Sequence, residues 1–391
     1  MRIAHIITRL ILGGAQENTL LCCEDLIRDF GDDVLLITGP PLGREGSLLE
    51  RARTSGVPTV VLPELRREIH PGRDWSSYKA IKRELRLFQP DVVHTHSGKA
   101  GLLGRVAATA LNVPAIVHTV HGAPFHNYQG RGARALFRSC EKFAAARCDL
   151  LISVADAMTE QLVAATVAPP EKFVTVFSGL EVEPLLEARS QREELRRRLG
   201  YDPRHVVIGK IARLFHLKGH EYVLRAAEQV VARNPHARFL FVGDGLLDGP
   251  LREQVHARRL DAYVKFTGLA PTDAIPGLLS AMDIVVHASL REGLARVLPQ
   301  ALIAGKPVVS YDVDGAREVV IPNETGYLLP PKSVEPMAAA LEDLIRQPEL
   351  RDQFGQEGRR RFTDLFRHER MTLRLRELYE ELLAAKRMRT A

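Results

Sequence analysis

The sequence predicts an α/β protein of two Rossmann-like, doubly wound domains with parallel sheets, and three observations carry that reading. Short apolar runs alternate with amphipathic helical runs from end to end, the pattern of repeated strand, helix, strand units. At 391 residues the chain exceeds one common domain and suits two of nearly equal size. The series also starts afresh after a charged run at 190–200, so the junction is read at about 179–202 and the domains at 1–185 and 186–367.

The elements follow in order. A strand at 2–8 leads through a glycine loop into a helix whose apolar face is Ala15, Thr19, Cys23, Leu26, Ile27 and Phe30. Strands at 34–38 and 59–62, a helix at 76–88 and strands at 92–95, 115–120, 150–154 and 173–176 complete the first half. The second half repeats the scheme with strands at 206–212, 238–242, 264–267, 284–287 and 307–311. The last helix, about 368–391, carries Met371, Leu375, Leu378, Tyr379, Leu382 and Leu383 on one face, a stripe suited to packing back on the first domain. Open sheets of this kind bind ligands outside the carboxyl ends of their strands, so the expected site is a central cleft faced by both domains.

Composition narrows the function. An apolar content of 45% with 26% charged residues is globular, and no apolar run approaches the ~18 residues that span a bilayer. Arg9 interrupts the apolar start, so the N-terminus reads as a first strand rather than a signal peptide, and the expected location is cytoplasmic. Cys22, Cys23, Cys140 and Cys148 show neither a C-x-x-C pair nor metal-ligand spacing, as expected of reduced thiols. The net charge of +6 is spread along the chain and aromatic residues are only 6%, which argues against a nucleic-acid partner. Two basic concentrations stand out, seven Lys or Arg against three acids at 66–86 and five against one at 131–147. Each reads either as a solvated helix face or as a surface for anionic lipid, where one Lys or Arg contributes ~1 kcal/mol. The stripe Tyr78, Ile81, Leu85 and Phe88 reads as core packing.

Four motifs carry chemistry. Residues 291–320, REGLARVLPQALIAGKPVVSYDVDGAREVV, read as an acidic loop, a helix with Pro299 in its first turn and closed by Gly305, a buried strand and a glycine turn. Amides of Leu294 and Ala295 at such a helix start suit a phosphate, while Glu292 beside them suits sugar hydroxyls. In IGKIARLFHLKG, Arg213 and Lys218 stand five residues apart in a loop after a strand and can clamp a diphosphate, the arginine as a fork and the lysine as a point charge. Gly13 and Gly14 permit close backbone approach after the first strand, but neither they nor VGDG at 242–245 form the dinucleotide fingerprint, which excludes a nicotinamide or flavin cofactor. Histidines gather at His94, His96, His118 and His121. No Asp, Glu or Cys stands at ligand spacing beside them, so no metal is expected. His94 and His118 read as core hydrogen-bonding groups, and His121, before a glycine at a strand's end, as a donor into the site.

In combination these residues resemble the family 4 glycosyltransferases, retaining sugar-nucleotide-dependent transferases with the GT-B fold. The resemblance covers nearly the whole chain. It rests on Gly13-Gly14-Ala15, HTHSGKAGLLGRVAA at 94–108, HTVHG at 118–122, SGLE at 178–181, IARLFHLKG, VGDG, TGL at 267–269 and REGLARVLPQALIAGKPVV. The resemblance implies a nucleotide-sugar donor, UDP-linked by preference, bound mainly by the second domain, and a lipid-linked or glycan acceptor on the first, in cell-envelope glycan synthesis. It assigns Arg213 and Lys218 to the diphosphate, with the amides of Gly293, Leu294 and Ala295 and the Gly13-Gly14 turn assisting. Glu292 takes the donor sugar's hydroxyls, His121 its C6 side, and Gly268 and Leu269 the base. No metal or other cofactor is implied, because protein cations and amides replace a divalent ion. The anomeric configuration is retained by same-face attack assisted by the leaving phosphate. The chain departs from the family in its paired glutamates: Gln300 stands where the second, ribose-binding one is expected, keeping an acceptor oxygen but not the charge, and Gln16 stands where the glycine loop often has Glu. A sugar-nucleotide epimerase of the same fold and a catalytically silent sugar-nucleotide-binding protein are the alternatives. The first leaves Arg213, Lys218 and Glu292 unexplained, and the second rests on Gln300 alone.

Overall fold

A computed structural model describes residues 1–43 and 46–390; residues 44 and 45 of the 39–49 loop, and residue 391 of the helix read at 368–391, lie outside the described residues. The chain forms two compact units, residues 1–179 together with the stretch from Arg367, and Leu180–Phe366.

The first unit is built on seven parallel strands, β1 Arg2–Ile7, β2 Asp33–Thr38, β3 Thr59–Val61, β4 Val92–His96, β5 Ala115–Val120, β6 Leu150–Ser153 and β7 Phe173–Thr175, in the order β3-β2-β1-β4-β5-β6-β7. The second holds β8 Val206–Ile211, β9 Ala237–Val242, β10 Val264–Phe266, β11 Ile284–His287, β12 Val308–Tyr311 and β13 Gly326–Leu329, in the order β10-β9-β8-β11-β12-β13. These are the doubly wound sheets expected. Central strands covered on both faces must be apolar without alternation, and Ile3, Ala4, Ile6, Ile7, Val92 and Val93 are accordingly all buried. In each sheet the order reverses once, between β1 and β4 and between β8 and β11.

Two elements depart from the sequence reading. β13 is an unforeseen edge strand of four residues that opens on Gly326. It exists because a side chain there would stand 1.9 Å from the Val308 carbonyl oxygen, so only glycine lets the strand dock on β12. The helix expected at 76–88 begins at Pro71, capped by His70, whose Nδ1 accepts from the Arg73 amide at 3.2 Å. Histidine is not among the usual capping residues, so the start is unmarked in the sequence. On this helix Ile81 and Leu85 are buried, as core packing requires.

The Gly14–Phe30 helix buries more than one face, because the C-terminal helix His368–Thr390 lies against it. Met371, Leu375, Leu378 and Tyr379 join the core of Ile3, Leu20 and Leu26. Asp25, fully buried, accepts from His368 Nδ1 at 2.8 Å and Thr372 Oγ1 at 2.7 Å, which fixes the helix's register. All four cysteines are free thiols.

The Gly98–Thr109 helix carries a buried charge. Arg105 donates to Gly101 O at 2.8 Å and to Glu141 Oε1 at 2.9 Å, and this pair ties the Arg131–Ala145 helix to the sheet's flank. Removing one partner of such a pair strands the other charge. Arg105→Met should therefore cost about 3–5 kcal/mol in urea unfolding, whereas Arg105→Met combined with Glu141→Leu should regain most of it. A double variant no more stable than the single would mean that packing, not the stranded carboxylate, sets the loss.

Candidate active site

In the second unit the chemistry collects where the strand order reverses. β8 runs into the 212–219 loop and β11 into the 288–296 loop, and the two are joined by Leu290 N donating to Leu217 O at 2.8 Å. Leu217 is left-handed, with φ 66°. Gly219 is too, and a Cβ on it would lie 1.9 Å from Ala288 O, so glycine is required for the loops to meet. A third loop interlocks from the other side. Gly243 at the end of β9 passes so close to Ala212 O that a Cβ would stand at 2.1 Å, and its amide donates to Gly268 O at 2.9 Å.

Onto this frame the sequence-predicted residues are placed as follows. Lys218 Nζ donates to Glu292 Oε1. The Glu292 amide donates to Asp314 Oδ2 at 2.5 Å and Gly315 N to Gly293 O at 2.9 Å, so the acidic loop is held by its backbone while its carboxylate faces the lysine. His287 Nε2 stands 3.6 Å from the same carboxylate, too far for a hydrogen bond but close enough for attraction. Burial would push the Glu292 carboxyl up; Lys218 and His287 outweigh it and hold the group well below the usual carboxylate range. Burial pushes the Asp314 carboxyl up instead. Arg213 is exposed, its guanidinium 5.3 Å from the Phe215 ring centroid. Leu269 is exposed beside Gly268.

The helix after Glu292 is shorter than its motif suggests. It spans Val297–Ile303, so Pro299 falls in its first turn but Leu294 and Ala295 precede it rather than begin it. Their amides donate to no acceptor among the described residues. Gln300 lies mid-helix and part-buried.

His121, Gly13 and Gly14 belong to the first unit. Gly13 precedes the Gly14–Phe30 helix in an extended conformation open to any residue, and a Cβ there would meet only the flexible Gln16 side chain, at 2.7 Å. His121 follows β5, its Nε2 3.1 Å from His96 Nδ1. His94 bonds Tyr379 Oη at 2.5 Å and Thr119 Oγ1 at 2.7 Å, and His118 bonds Thr95 Oγ1 at 2.9 Å, the core roles expected of both. Residues 94 and 96 are joined by His5, which the sequence reading passed over.

Two family models match the chain, the glycosyl transferase 4-like domain over residues 13–179 and glycosyl transferases group 1 over residues 191–361. The chain belongs to the group 1 glycosyltransferases of family 4. An Escherichia coli UDP-Gal:alpha-D-GlcNAc-diphosphoundecaprenol alpha-1,3-galactosyltransferase is 27% identical over 87% of each chain. A Streptomyces fradiae 2-deoxystreptamine N-acetyl-D-glucosaminyltransferase is 29% identical over 86% of this chain and 84% of its own. The GT-B fold is shared with Anabaena HepE, solved with UDP-glucose (TM-score 0.80, 20% identity, 97% and 99% coverage), and with sucrose-phosphate synthase from Thermosynechococcus elongatus (TM-score 0.83, 21% identity, 98% and 99% coverage). This glycosyltransferase therefore acts on a nucleotide-sugar donor.

Sequence reasoning missed four groups around the glycosyltransferase's Lys218 and Glu292. Asp314 was signalled only by the Asp-Gly dipeptide that marks a turn. Lys210 Nζ, both ring nitrogens of His220 and Ser289 Oγ are buried without a hydrogen-bond partner among the described residues. Native interiors leave few such groups, and they concentrate where a ligand or water binds. Burial pushes the Lys210 ammonium from its ordinary 10.5 down to about 7, and does the same to Lys306. Because the folded values lie below the unfolded one, the unfolded chain binds more protons at these two lysines, and they make stability rise with pH from 7 toward 9, above which the Cys22 and Cys23 thiols, pushed up from 9.0 by burial, act in the opposite sense. Lys210→Met should raise stability at pH 7 by on the order of 1–3 kcal/mol and flatten the pH dependence of the urea midpoint, Lys306 sustaining what remains. An unchanged slope in the variant would show that Lys210 keeps its charge when folded.

Proposed function

We propose that the protein is a retaining, metal-independent hexosyltransferase that moves a sugar from a UDP-sugar to a lipid-linked or polysaccharide acceptor in cell-envelope glycan synthesis. The observation that carries this reading is the Lys218–Glu292 pair held on two loops at the strand-order reversal of the second unit. A diphosphate competes for Lys218 as a stronger anion, and the carboxylate so released faces the sugar hydroxyls. Arg213 adds a forked cation to the leaving group, and the amides of Gly293, Leu294 and Ala295 add neutral donors. Gly268 and Leu269 take the base and Gln300 accepts from the ribose, while Gly13, Gly14 and His121 are assigned to the donor by the family resemblance alone. With Glu292 spent on sugar hydroxyls, no free carboxylate remains in these loops to act as nucleophile, which favours same-face attack assisted by the leaving phosphate. UDP is preferred because the galactosyltransferase relative is named for a UDP-sugar and HepE was solved with one.

A lipid-linked acceptor implies a membrane surface. Among the described residues no helix is long and apolar enough to cross a membrane. The Arg131–Ala145 helix exposes Leu136 and Phe143 among Arg131, Arg134, Arg138 and Lys142, and Trp75 is exposed within the other basic stretch. Apolar side chains ringed by cations suit the interface of an anionic bilayer. The protein should pellet with phosphatidylglycerol vesicles at low salt and less so at high salt, and Phe143→Ala should weaken pelleting. No pelleting at either salt removes the membrane from the reading.

The donor is tested by thermal stabilisation with UDP, GDP, ADP and their sugars. A ligand at a hundred times its dissociation constant adds roughly 2.7 kcal/mol, so UDP should raise the melting temperature measurably, and Arg213→Ala and Lys218→Ala should abolish the rise. Glu292→Gln should still bind UDP but lose roughly 10- to 100-fold in transfer, the weight of a charged hydrogen bond. Stabilisation by GDP or ADP instead would reassign the base, and none at all would take the nucleotide-sugar donor out of the reading and leave the fold alone.

A further inference from the structure

Behind His121 the fold lines up two more imidazoles. His96, 1% exposed at the end of β4, presents Nδ1 to His121 Nε2 at 3.1 Å and Nε2 to His5 Nδ1 at 3.1 Å; His5, on β1, is fully buried. The ring centroids stand 5.4 Å apart for the first pair and 5.3 Å for the second. Each separation exceeds its nitrogen-to-nitrogen distance by a full ring width, so each pair of rings lies end to end with the two nitrogens aimed at one another. That is the geometry of a hydrogen bond. Metal ligands would turn both lone pairs toward a third point instead. Although His94 completes a cluster whose candidate ligand atoms lie within 4.8 Å, both its nitrogens are taken by Tyr379 and Thr119.

Proton placement along the row follows from its closed end. His5 Nε2 is buried without a partner among the described residues. Burial holds His5 and His96 well below the ordinary histidine value, so each ring carries one N–H. If His5 donates from Nδ1, the stranded group is a bare nitrogen; if it accepts there, the stranded group is a buried N–H. Orphaned N–H groups are the rarer of the two in native interiors. The first arrangement sends both hydrogen bonds outward.

We propose that His5 and His96 form a directional relay that positions His121, with His5 Nδ1–H donating to His96 Nε2 and His96 Nδ1–H to His121 Nε2. The half-buried His121 is thereby held as the tautomer whose proton sits on Nδ1. His5 and His96 are positioning residues, since they act through His121. The functional consequence rests on the reading of His121 as a donor-sugar contact; the tautomer does not.

The test is the imidazole nitrogen spectrum of the full-length protein labelled with ¹⁵N-histidine, the His121 signals being identified by their loss in His121→Asn. The relay requires a pyrrole-like Nδ1 and a pyridine-like Nε2 at His121, and the same at His96. A proton on His121 Nε2 overturns it, as does stoichiometric zinc uptake that collapses the His5 and His96 signals. His96→Leu removes the donor and should mix the His121 tautomers and lower kcat on the order of 10- to 100-fold, with donor KM little changed. His96→Asn places an amide N–H near the Nδ1 position and should restore most of both; an Asn variant as impaired as Leu counts against the relay. If the tautomer is as stated but His121→Ala transfers sugar normally, it is the role of His121 that fails and not the relay.

Discussion

Parallel pairing is the constraint on which the rest depends. Every named strand in both sheets runs the same way, and the central ones are covered on both faces. Strands buried on both faces admit few polar or charged side chains, and the carboxyl ends at the reversal of order are where two loops diverge and leave room between them. β8 and β11 flank that point in the second unit and β1 and β4 in the first. In the second unit the loops that leave it meet backbone to backbone, at Gly219 against Ala288 and Gly243 against Ala212. Much of what makes the glycine motifs recognisable is thus steric. They let three loops share one small volume, and the chemistry of Arg213, Lys218 and Glu292 is mounted on that scaffold.

Charge balance in this volume is uneven. One carboxylate, Glu292, is surrounded by Lys218, His287 and Lys210, and only Lys218 pairs with it directly. Burial lowers the His287 imidazole and brings Lys210 down to about 7, so Lys218 is the lasting cation here, and an arriving anion would draw a proton onto Lys210. Asp314 contributes through Glu292's amide rather than its carboxylate, so it orients the acidic loop without adding to the pairing of Lys218. The division of labour between the two acids follows from which atom each one meets.

The fold was largely legible because buried parallel strands are dense in Val, Ile and Leu, and their runs at 92–95, 115–120 and 284–287 need no tertiary information to be seen. β13 was not, since its place depends on a backbone approach at Gly326 that leaves no apolar signature. The Lys218 and Glu292 motifs were readable one by one, but their pairing across 74 residues is a product of the β8 to β11 adjacency. Lys210 hid inside an apolar strand run, where a single lysine reads as a surface residue. Asp25 hid in the same way: its partners His368 and Thr372 lie more than 340 positions away.

The histidines show how far residue type alone falls short. His94, His96, His118 and His121 carry the same ring within 28 positions, yet what each does is set by which of its nitrogens is already engaged. His94 is satisfied at both ends by hydroxyls, from Thr119 and from Tyr379 of the C-terminal helix, and so serves to join that helix to the sheet. His118 meets Thr95 and stands 3.8 Å from Glu141, beside the buried arginine pair. Among the described residues the groups that meet the His96 nitrogens are other imidazoles, one from β1 and one beyond β5. A neutral imidazole can donate from one edge while accepting at the other, so it can sit between two of its own kind with both nitrogens engaged. The alternation of side chains along β4 puts His94 and His96 on one face, and the β1 to β4 register sets His5 opposite His94. From those two facts the row toward His121 follows, although neither His5 nor the row is visible in any local stretch of sequence.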